Sequence, residues 1–183
     1  ATAREAAPAL VELCLGRFPG AHRVLDLGGL HGEYCLEFAR RGLATTMQDR
    51  PEVIDMVRRR GRLDAAGVDL FAGDFFDQVP DGTFDLAFCS GITHTFGAGG
   101  NRALFTNLRK VVAPGGGVAV VTFLRGRNPI ASLFAVQMML NGHGGDTHTD
   151  AEYRAWLSEA GFTPDQGVVD LGDKGARSVI FAA

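Results

Sequence analysis

Cysteine is scarce in this 183-residue chain, which contains Cys14, Cys35 and Cys89 and no other. Their number is odd, and no two of them have the Cys-x-x-Cys spacing of a zinc module or redox motif. A disulfide framework is therefore disfavoured, and the composition fits a reducing compartment. We expect a cytoplasmic protein.

The chain also lacks a strong charge of either sign and a long apolar run. It has 18 Lys and Arg against 21 Asp and Glu, a formal net charge of −3, so nothing favours nucleic acid or an anionic membrane as a partner. The longest apolar stretch, residues 130–140, contains Ser132 and Gln137 and is too short to span a bilayer. Glu5 and Glu12 stand where a signal peptide needs an uninterrupted apolar run.

Short apolar segments typical of buried strands alternate with amphipathic segments typical of helices. The predicted strands are residues 23–27, 43–48, 68–72, 83–89, 118–123, 168–171 and 177–182. The predicted helices are residues 7–18, 32–41, 51–60, 104–112, 130–140 and 149–160, with Asn128 as the cap of the fifth and Pro-Gly-Gly-Gly at 114–117 ending the fourth. Strands separated by helices predict a parallel sheet covered on both faces. The last two strands have no helix between them, and a turn at 172–175 would pair them antiparallel.

The sequence therefore predicts one α/β domain over residues 1–183. We expect a doubly wound, Rossmann-like, seven-stranded sheet that is mostly parallel and has an antiparallel last strand. Ligands of such a sheet bind beyond the carboxyl ends of its strands, at the point where the strand order reverses. The residues that follow each strand are accordingly the first candidates for a site.

The first strand runs into Asp26, Gly28 and Gly29, and glycine allows a tight turn and close backbone approach to a ligand. Asp49 ends the second strand about 20 positions later, the spacing of a carboxylate that binds ribose hydroxyls. The alternative is that the glycines only form the turn into the next helix. Agreement between the turn, the carboxylate and the strand ends favours a bound cofactor.

Two familiar nucleotide motifs are absent. Leu30 and Glu33 stand at the second and third glycine positions of Gly-x-Gly-x-x-Gly, which disfavours NAD without excluding it. No Gly-Lys-Ser/Thr follows the glycines, so the loop is not a Walker A motif.

The order and spacing of several motifs resemble a known family. They are Val-Leu-Asp-Leu-Gly-Gly at 24–29 with His-Gly at 31–32, Asp-Arg-Pro-Glu-Val at 49–53, Ala-Gly-Asp-Phe-Phe at 72–76, Ala-Pro-Gly-Gly at 113–116, Gly-Gly at 144–145, Glu-Tyr-Arg-Ala-Trp at 152–156 and Ala-Gly-Phe at 160–162. Together they resemble the class I S-adenosylmethionine-dependent methyltransferases. More narrowly, they are similar to the catalytic domain of small-molecule O-methyltransferases such as acetylserotonin and caffeate O-methyltransferases. The resemblance covers nearly the whole chain.

The resemblance implies a cofactor site for S-adenosylmethionine, with S-adenosylhomocysteine as the product. The residues implied are Asp26, Gly28, Gly29, Asp49, Asp74, Phe75 and Ser90. The glycine turn would face the methionine part and Asp49 the ribose, while Asp74 would bind the adenine amino group and Phe75 pack on the ring. Ser90 falls where such enzymes often place a lysine or another polar residue near the cofactor.

On the acceptor side, His94 falls on the general base of the family. Methyl transfer from a sulfonium is an in-line displacement, so a base that removes the acceptor's proton while the oxygen is aimed at the methyl carbon accelerates it. A solvated loop histidine is the alternative. Phe134 and Met138 lie on a helix that lines the substrate pocket in such enzymes and are our substrate-binding candidates, although ordinary core packing explains an apolar run equally simply.

Several positions depart from the family pattern. Leu30 replaces a glycine, Thr-Phe at 95–96 replaces Asp-Trp, and Thr147 stands where a glutamate usually steadies the histidine. Asp146 and His148 are candidates to take over the role of that glutamate. If the backbone at Leu30 needs a positive φ, a leucine there costs on the order of 1 kcal/mol.

Relatives carry a helical N-terminal domain that builds a dimer and closes the substrate pocket, and this chain, which starts with Ala, has only one helix before the first strand. We expect a piece of a longer protein or a pocket that a partner protein completes, and a homodimer stays open. No metal is expected, because no carboxylates cluster near His94.

The sequence thus predicts an S-adenosylmethionine-dependent O-methyltransferase that acts on a hydroxyl of a small, largely apolar natural product. A carbon or nitrogen methyltransferase of the same fold is the first alternative, because such acceptors need less help from a base. A catalytically silent methyltransferase-like module of a larger synthase is the second, favoured by the departures at Leu30, Thr95 and Thr147. An NAD-dependent oxidoreductase is a weak third.

Overall fold

A computed structural model describes residues 2–127, 129–140, 144–171 and 177–183 of the chain. The strands are β1 (Arg23–Leu27), β2 (Ala44–Asp49), β3 (Asp69–Ala72), β4 (Phe84–Ser90), β5 (Val112–Thr122), β6 (Val169–Asp170) and β7 (Ser178–Ala182). They form one sheet in the order β3-β2-β1-β4-β5-β7-β6. Neighbours from β3 to β5 pair in parallel, and β7 pairs antiparallel with both β5 and β6. The predicted fold class is confirmed.

Helices cover both faces of the sheet. They are α1 (Ala3–Arg17), α2 (Glu33–Arg40), α3 (Pro51–Arg60), α4 (Arg62–Ala65), α5 (Ala98–Val111), α6 (Pro129–Leu140) and α7 (Asp150–Glu159), with a short 3₁₀ turn at Thr93–Thr95. Alternate residues of β4 point to opposite faces: Leu86 and Phe88 pack with α1 and α2, whereas Ala87 and Cys89 pack with α5 and α7. This two-sided burial explains the nearly continuous apolar character of the central strands.

One predicted boundary is wrong. Residues 114–117 were expected to separate a helix from a strand, but β5 begins at Val112 and runs through them. A Cβ on Gly116 would lie 2.6 Å from the carbonyl oxygen of Asp85, and one on Gly117 only 2.3 Å from that of Ala182. Close approach of neighbouring strands therefore requires Gly116 and Gly117, whereas Gly115 has a φ of +82° in the segment where the β4–β5 register shifts.

Two predicted turn features lie outside the described residues, namely the Asn128 cap and the hairpin turn at 172–175. The antiparallel pairing of the strands that this turn joins is confirmed. Among the helices formed by the described ranges, none is long and apolar enough to cross a membrane.

The topology brings the candidate residues to one edge of the sheet. β1, β2 and β4 run parallel, so their carboxyl ends meet there, and β1 lies between the other two. The strand order reverses between β1 and β4, because β2 and β3 extend to one side of β1 and the later strands to the other.

Candidate active site

The turn after β1 depends on its glycines. Gly28 has φ of +68° and Gly32, which precedes α2, has φ of +72°, a region that other residues adopt only at a cost. A Cβ on Gly29 would lie 2.9 Å from Oδ2 of Asp26. The chain therefore passes close to Asp26 and leaves open space above the turn.

Leu30 is the one residue other than glycine with a positive φ in the described part of the chain, at +51°. Its side chain is 52% exposed, so burial offsets little of the backbone strain, which amounts to about 1–2 kcal/mol for a residue with a Cβ. Its N–H donates to Oδ2 of Asp49 over 3.1 Å. The sequence-based suspicion that this position needs a positive φ is confirmed.

Asp49 is held rigidly at the end of β2. It is buried, its Oδ2 accepts the Leu30 N–H, and its Oδ1 accepts the N–H of Arg50 over 2.8 Å. Two backbone donors thus orient the carboxylate, and each oxygen keeps a further lone pair for a ligand hydroxyl.

Two adjoining cavities lie above these residues and share Gly28, Leu30 and Gly91. The smaller, of about 290 Å³, is lined by Ala3, Asp26, Gly28, Gly29, Leu30, His31, Glu33, Tyr34, Ser90, Gly91 and Arg177. The larger, of about 540 Å³, is lined by Gly28, Leu30, Asp49, Arg50, Val53, Phe75, Gly91, Ile92, Thr95 and Phe96. One elongated ligand can occupy both, because they meet at the β1 turn.

Six of the seven predicted cofactor residues line one of these cavities: Asp26, Gly28, Gly29, Asp49, Phe75 and Ser90. The seventh, Asp74, is exposed, and its Oδ1 accepts the N–H of Phe76 over 2.9 Å. Its neighbour Phe75 contributes a buried ring to the wall of the larger cavity. An adenine contact for Asp74 stays a prediction.

Asp26 is completely buried, and burial raises its pKa to about 7. Its Oδ2 accepts a hydrogen bond from Sγ of Cys35 over 2.9 Å. Its Oδ1 is buried and has no hydrogen-bond partner within the described residues. A carboxyl in this setting is half protonated near neutral pH, and it has an unused oxygen beside the smaller cavity.

His94 lies in the 3₁₀ turn beyond β4 and is 7% exposed. Burial, with a smaller contribution from the nearby His148, lowers its pKa to about 4. A Cβ on Gly91 would lie 3.8 Å from Cε1 of His94, so the imidazole sits directly behind a wall shared by both cavities. His94 is therefore neutral at physiological pH and close to the space where a ligand fits.

The loop before α7 fixes the backbone of His94. The N–H of Asp146 donates to the His94 carbonyl over 3.0 Å, and a Cβ on Gly145 would lie 2.6 Å from that carbonyl oxygen. Thr147 is completely buried, and its Oγ1 is without a hydrogen-bond partner among the described residues, as is Nδ1 of His94.

Neither candidate substitute for the missing glutamate shows a bond to His94 in the described structure. The Asp146 carboxylate interacts with Arg125 at 3.1 Å and with the Thr147 N–H. His148 Nε2 lies 2.9 Å from the carbonyl oxygen of Phe96. Among the described residues, no carboxylate is therefore bonded to the His94 imidazole to stabilise its protonated form.

Aromatic rings form the remaining wall around His94. Phe134 of α6 meets the imidazole edge to face, with ring centroids 4.6 Å apart, and stacks on Phe123 with centroids 4.3 Å apart. Met138 lies one turn further along α6 and is half-buried. This wall is suited to a flat, apolar group, and a role for Phe134 and Met138 in binding substrate stays a prediction.

Several residues of this site were not among those predicted from the sequence. Val53 and Ile92 line the larger cavity, Phe123 stacks on Phe134, and Arg177 lines the smaller cavity. Val53 belongs to the motif at 49–53 and Ile92 lies between Ser90 and His94, so proximity in sequence was an available signal. Arg177 gave none, because only the antiparallel course of β7 brings it to this edge.

Comparison with known proteins agrees with this geometry. A family model described as an O-methyltransferase domain matches residues 9–163. The chain belongs to this family. Its members are S-adenosylmethionine-dependent enzymes, and the predicted resemblance is confirmed.

Individual relatives point the same way. The 3-hydroxy-5-methyl-1-naphthoate 3-O-methyltransferase of Streptomyces sahachiroi is 30% identical over 173 residues, which cover 88% of this chain and 48% of that protein. The tetracenomycin polyketide synthesis 8-O-methyl transferase of Streptomyces glaucescens is 31% identical, over 76% of this chain and 43% of that protein. The chain therefore spans about half the length of the curated relatives it matches.

Among solved structures, human N-acetylserotonin methyltransferase in complex with S-adenosylmethionine superposes with a TM-score of 0.80. The match covers 99% of this chain and 51% of that one, at 23% identity. At this identity the likeness shows the fold.

The residues present fit the cofactor of the family. Gly28 and Gly91 border both cavities without a side chain, the Asp49 carboxylate is oriented by two backbone N–H groups and would accept ribose hydroxyls, and Val53 and Phe75 give the larger cavity an apolar wall that would suit a purine. Leu30 lies in the lining of both cavities. Within the described residues, no group of three or more His, Cys, Asp or Glu is placed to hold a metal ion.

Proposed function

We propose that the protein methylates a hydroxyl of a small, largely apolar natural product. The observation that carries this proposal is a neutral histidine, His94, set in an aromatic wall directly behind the cavity that contains Asp49. When bound, S-adenosylmethionine supplies an electrophilic methyl group, and S-adenosylhomocysteine remains after transfer. The chain's own residues have to place the acceptor oxygen and accept its proton.

His94 acts as the general base in this proposal. The acceptor oxygen forms a bond to the methyl carbon while its proton passes to the imidazole, and the imidazolium then returns the proton to solvent. A base placed in this way contributes about 10²–10⁴-fold to the rate. Holding the acceptor and cofactor in line contributes more, because positioning replaces a loss of entropy.

The low basicity of His94 narrows the acceptor class. Burial holds its pKa at about 4, and no described carboxylate stabilises the imidazolium. The hydroxyl must therefore be acidic itself, and a phenol, with a pKa of about 10, fits better than an aliphatic alcohol. The flat wall of Phe123 and Phe134 also favours an aromatic acceptor. The relatives named for a naphthoate and for tetracenomycin support the same choice.

The test measures S-adenosylhomocysteine formation from S-adenosylmethionine with a matched acceptor pair, 1-naphthol and 1-naphthylamine. We expect turnover of the phenol and a 10²–10⁴-fold lower kcat in His94→Gln, with unchanged affinity for S-adenosylhomocysteine. His22→Gln is the matched control, because His22 is exposed and lies at the opposite end of β1. Near-full activity of His94→Gln, or preference for the amine, would overturn the O-methylation mechanism.

A catalytically silent module is the second candidate, and the unpartnered Nδ1 of His94 favours it. The same experiment separates the two functions. Binding of S-adenosylhomocysteine without turnover of any phenol supports the silent module.

We further propose that an additional domain or a second copy covers α6 in the whole protein. Ile130, Leu133, Val136 and Leu140 are large apolar residues spaced at helical intervals and exposed, the last to 81%. Such a contiguous apolar face is typical of an interaction site. Sedimentation velocity of the chain tests the homodimer, which Leu133→Asp should dissociate. A concentration-independent monomer contradicts it and leaves the additional domain.

A further inference from the structure

The turn that carries His94 has little local support of its own. It is a single 3₁₀ turn, Thr93–Thr95, and the helix that follows, α5, contains Gly99 and Gly100 in its first turn. Glycine weakens a helix because it loses more backbone freedom on folding than any other residue. The N-cap residue, Gly97, has no side chain that could bond to the free N–H groups of α5. Contacts from other parts of the fold therefore have to fix the position of the imidazole.

Asn101 of α5 supplies one set of these contacts. Its side chain is completely buried, and Nδ2 donates to the carbonyl oxygens of Thr93 and Phe96 over 3.0 Å and 3.1 Å. The carbonyl oxygen of Gly97 lies 3.3 Å from the same nitrogen. Only a donor can face three carbonyl oxygens, so the NH₂ end of the amide points toward them. Asn101 thus ties both ends of the segment 93–97 to α5.

Tyr153 of α7 holds the same segment by a side-chain contact. Its hydroxyl donates to Oγ1 of Thr93 over 2.8 Å and lies 3.3 Å from Oγ1 of Thr122 on β5. Tyr153 is completely buried, and its ring packs edge to face on Trp156 with centroids 5.4 Å apart. Buried hydroxyls are stable where they bond to one another. The core therefore fixes the point at which Thr93 is held.

We propose that Asn101 and Tyr153 are positioning residues that place the His94 imidazole by fixing Thr93. This inference rests on the proposed function, because it concerns the base of that reaction. Thr93 is completely buried and directly precedes His94, and two different helices bond to its carbonyl and its hydroxyl. A shift of Thr93 would move the imidazole relative to the cavity that contains Asp49. Asn101 and Tyr153 act from behind, since neither is in the described lining of that cavity.

Conservative variants test the inference with 1-naphthol and S-adenosylmethionine as substrates. Tyr153→Phe keeps the ring and removes the donor to Thr93, and Thr93→Val removes the acceptor of the same bond. We expect each to lower kcat about 10- to 100-fold, the loss typical of a misplaced reacting group. The affinity for S-adenosylhomocysteine, measured by calorimetry, should stay unchanged.

Asn101→Ser separates support of the helix from support of Thr93. A serine hydroxyl can still donate to the carbonyl four residues earlier, that of Gly97, but it is too short to reach Thr93. We expect kcat to fall as far as in Tyr153→Phe. Thr106→Val is the matched control on the same helix, because Thr106 donates to the carbonyl of Arg102 over 2.8 Å and is exposed. It should keep the kcat of the unmodified chain.

Nuclear magnetic resonance measures the position of the imidazole without turnover. The Cε1–H signal of His94, assigned by its loss in His94→Gln, is shifted by the ring current of Phe134, whose centroid lies 4.6 Å from that of the imidazole. This signal should move in Tyr153→Phe and in Asn101→Ser, because the ring current depends steeply on distance. It should stay in place in Thr106→Val.

Three results decide the inference. Unchanged kcat in Tyr153→Phe and Asn101→Ser, or an unmoved His94 signal in both, would overturn it and leave the proposed function intact. A loss of S-adenosylhomocysteine affinity as large as the loss of kcat would also overturn it, since it would indicate a general loosening of the domain. If the unmodified chain methylates no phenol, the proposed function fails, and the His94 signal alone decides whether the two residues position the imidazole.

Discussion

The cofactor side and the acceptor side of the site differ in what holds their polar groups. On the cofactor side, backbone N–H groups donate to both oxygens of Asp49, so the fold itself sets the carboxylate. On the acceptor side, Nδ1 of His94 and Oγ1 of Thr147 are buried without partners among the described residues. The first arrangement follows from strand ends and glycines, whereas the second depends on the packing of side chains from distant segments.

On each side, burial also shifts the pKa of one titratable group toward its uncharged form, with opposite consequences for the pH dependence of stability. The folded-state pKa of Asp26 is raised from 3.8 to about 7. Between these values the folded chain binds more protons than the unfolded chain, so stability is lost as pH rises. The folded-state pKa of His94 is lowered from 6.5 to about 4. Here the unfolded chain binds more protons, so stability is lost as pH falls.

Removing each group should separate these opposing effects. We compare the unfolding free energy of each variant with that of the unmodified chain at pH 4.5 and at pH 6.5. As the pH rises between these values, this difference should shift by about 2 kcal/mol in favour of Asp26→Asn, and by about as much against His94→Gln. Urea unfolding across this range measures both. If the plots of unfolding free energy against pH for both variants run parallel to that of the unmodified chain, the fold shifts the pKa of neither group.

A smaller effect, on kcat, is expected from displacing His94 on the acceptor side alone. In Gly145→Ala the new methyl group would press on the His94 carbonyl, 2.6 Å away, and displace the imidazole. We predict that kcat falls about tenfold, since misplacement of a reacting group by a fraction of an ångström is costly, while S-adenosylhomocysteine binds normally. Gly99→Ala is the control, because a Cβ there meets open space. Loss of cofactor affinity in Gly145→Ala would show that the two sides are not independent.

The smallest expected effect concerns the strained residue of the cofactor side. Leu30→Gly should raise the unfolding free energy by about 0.5–1 kcal/mol, because relief of the positive φ exceeds the entropy that glycine adds to the unfolded chain. Leu30→Ala keeps the strain and should gain nothing. Equal stability of both variants, measured by thermal melting, would mean that Leu30 is not strained.

Much of the cofactor side was predictable from the sequence, because it depends on local signals. Glycines mark the turn after β1, and Asp49 marks the end of β2 at a characteristic distance. The mostly parallel sheet with helices on both faces follows from the alternation of strands and helices. The predicted start of the fifth strand at residue 118 was wrong, because β5 begins at Val112 and close approach between strands selects Gly116 and Gly117 as strongly as a turn would.

The acceptor side was less predictable, because it depends on contacts between distant segments. His94 could be proposed from its motif, but its desolvation depends on Phe134 of α6 and on the loop containing Gly145. The position of Arg177 depends on the return of β7 across the sheet. Local sequence patterns do not indicate such contacts between distant segments.

The most direct test of the cofactor site is a calorimetric titration of the chain with S-adenosylhomocysteine, alongside Asp49→Ala and with NADH as the control ligand. We predict micromolar binding by the unmodified chain, about 100-fold weaker binding by Asp49→Ala, since two ribose contacts to a charged group are lost, and no binding of NADH. Absence of binding at millimolar S-adenosylhomocysteine, or equal affinity of Asp49→Ala, would contradict the assignment of this sheet edge as the cofactor site.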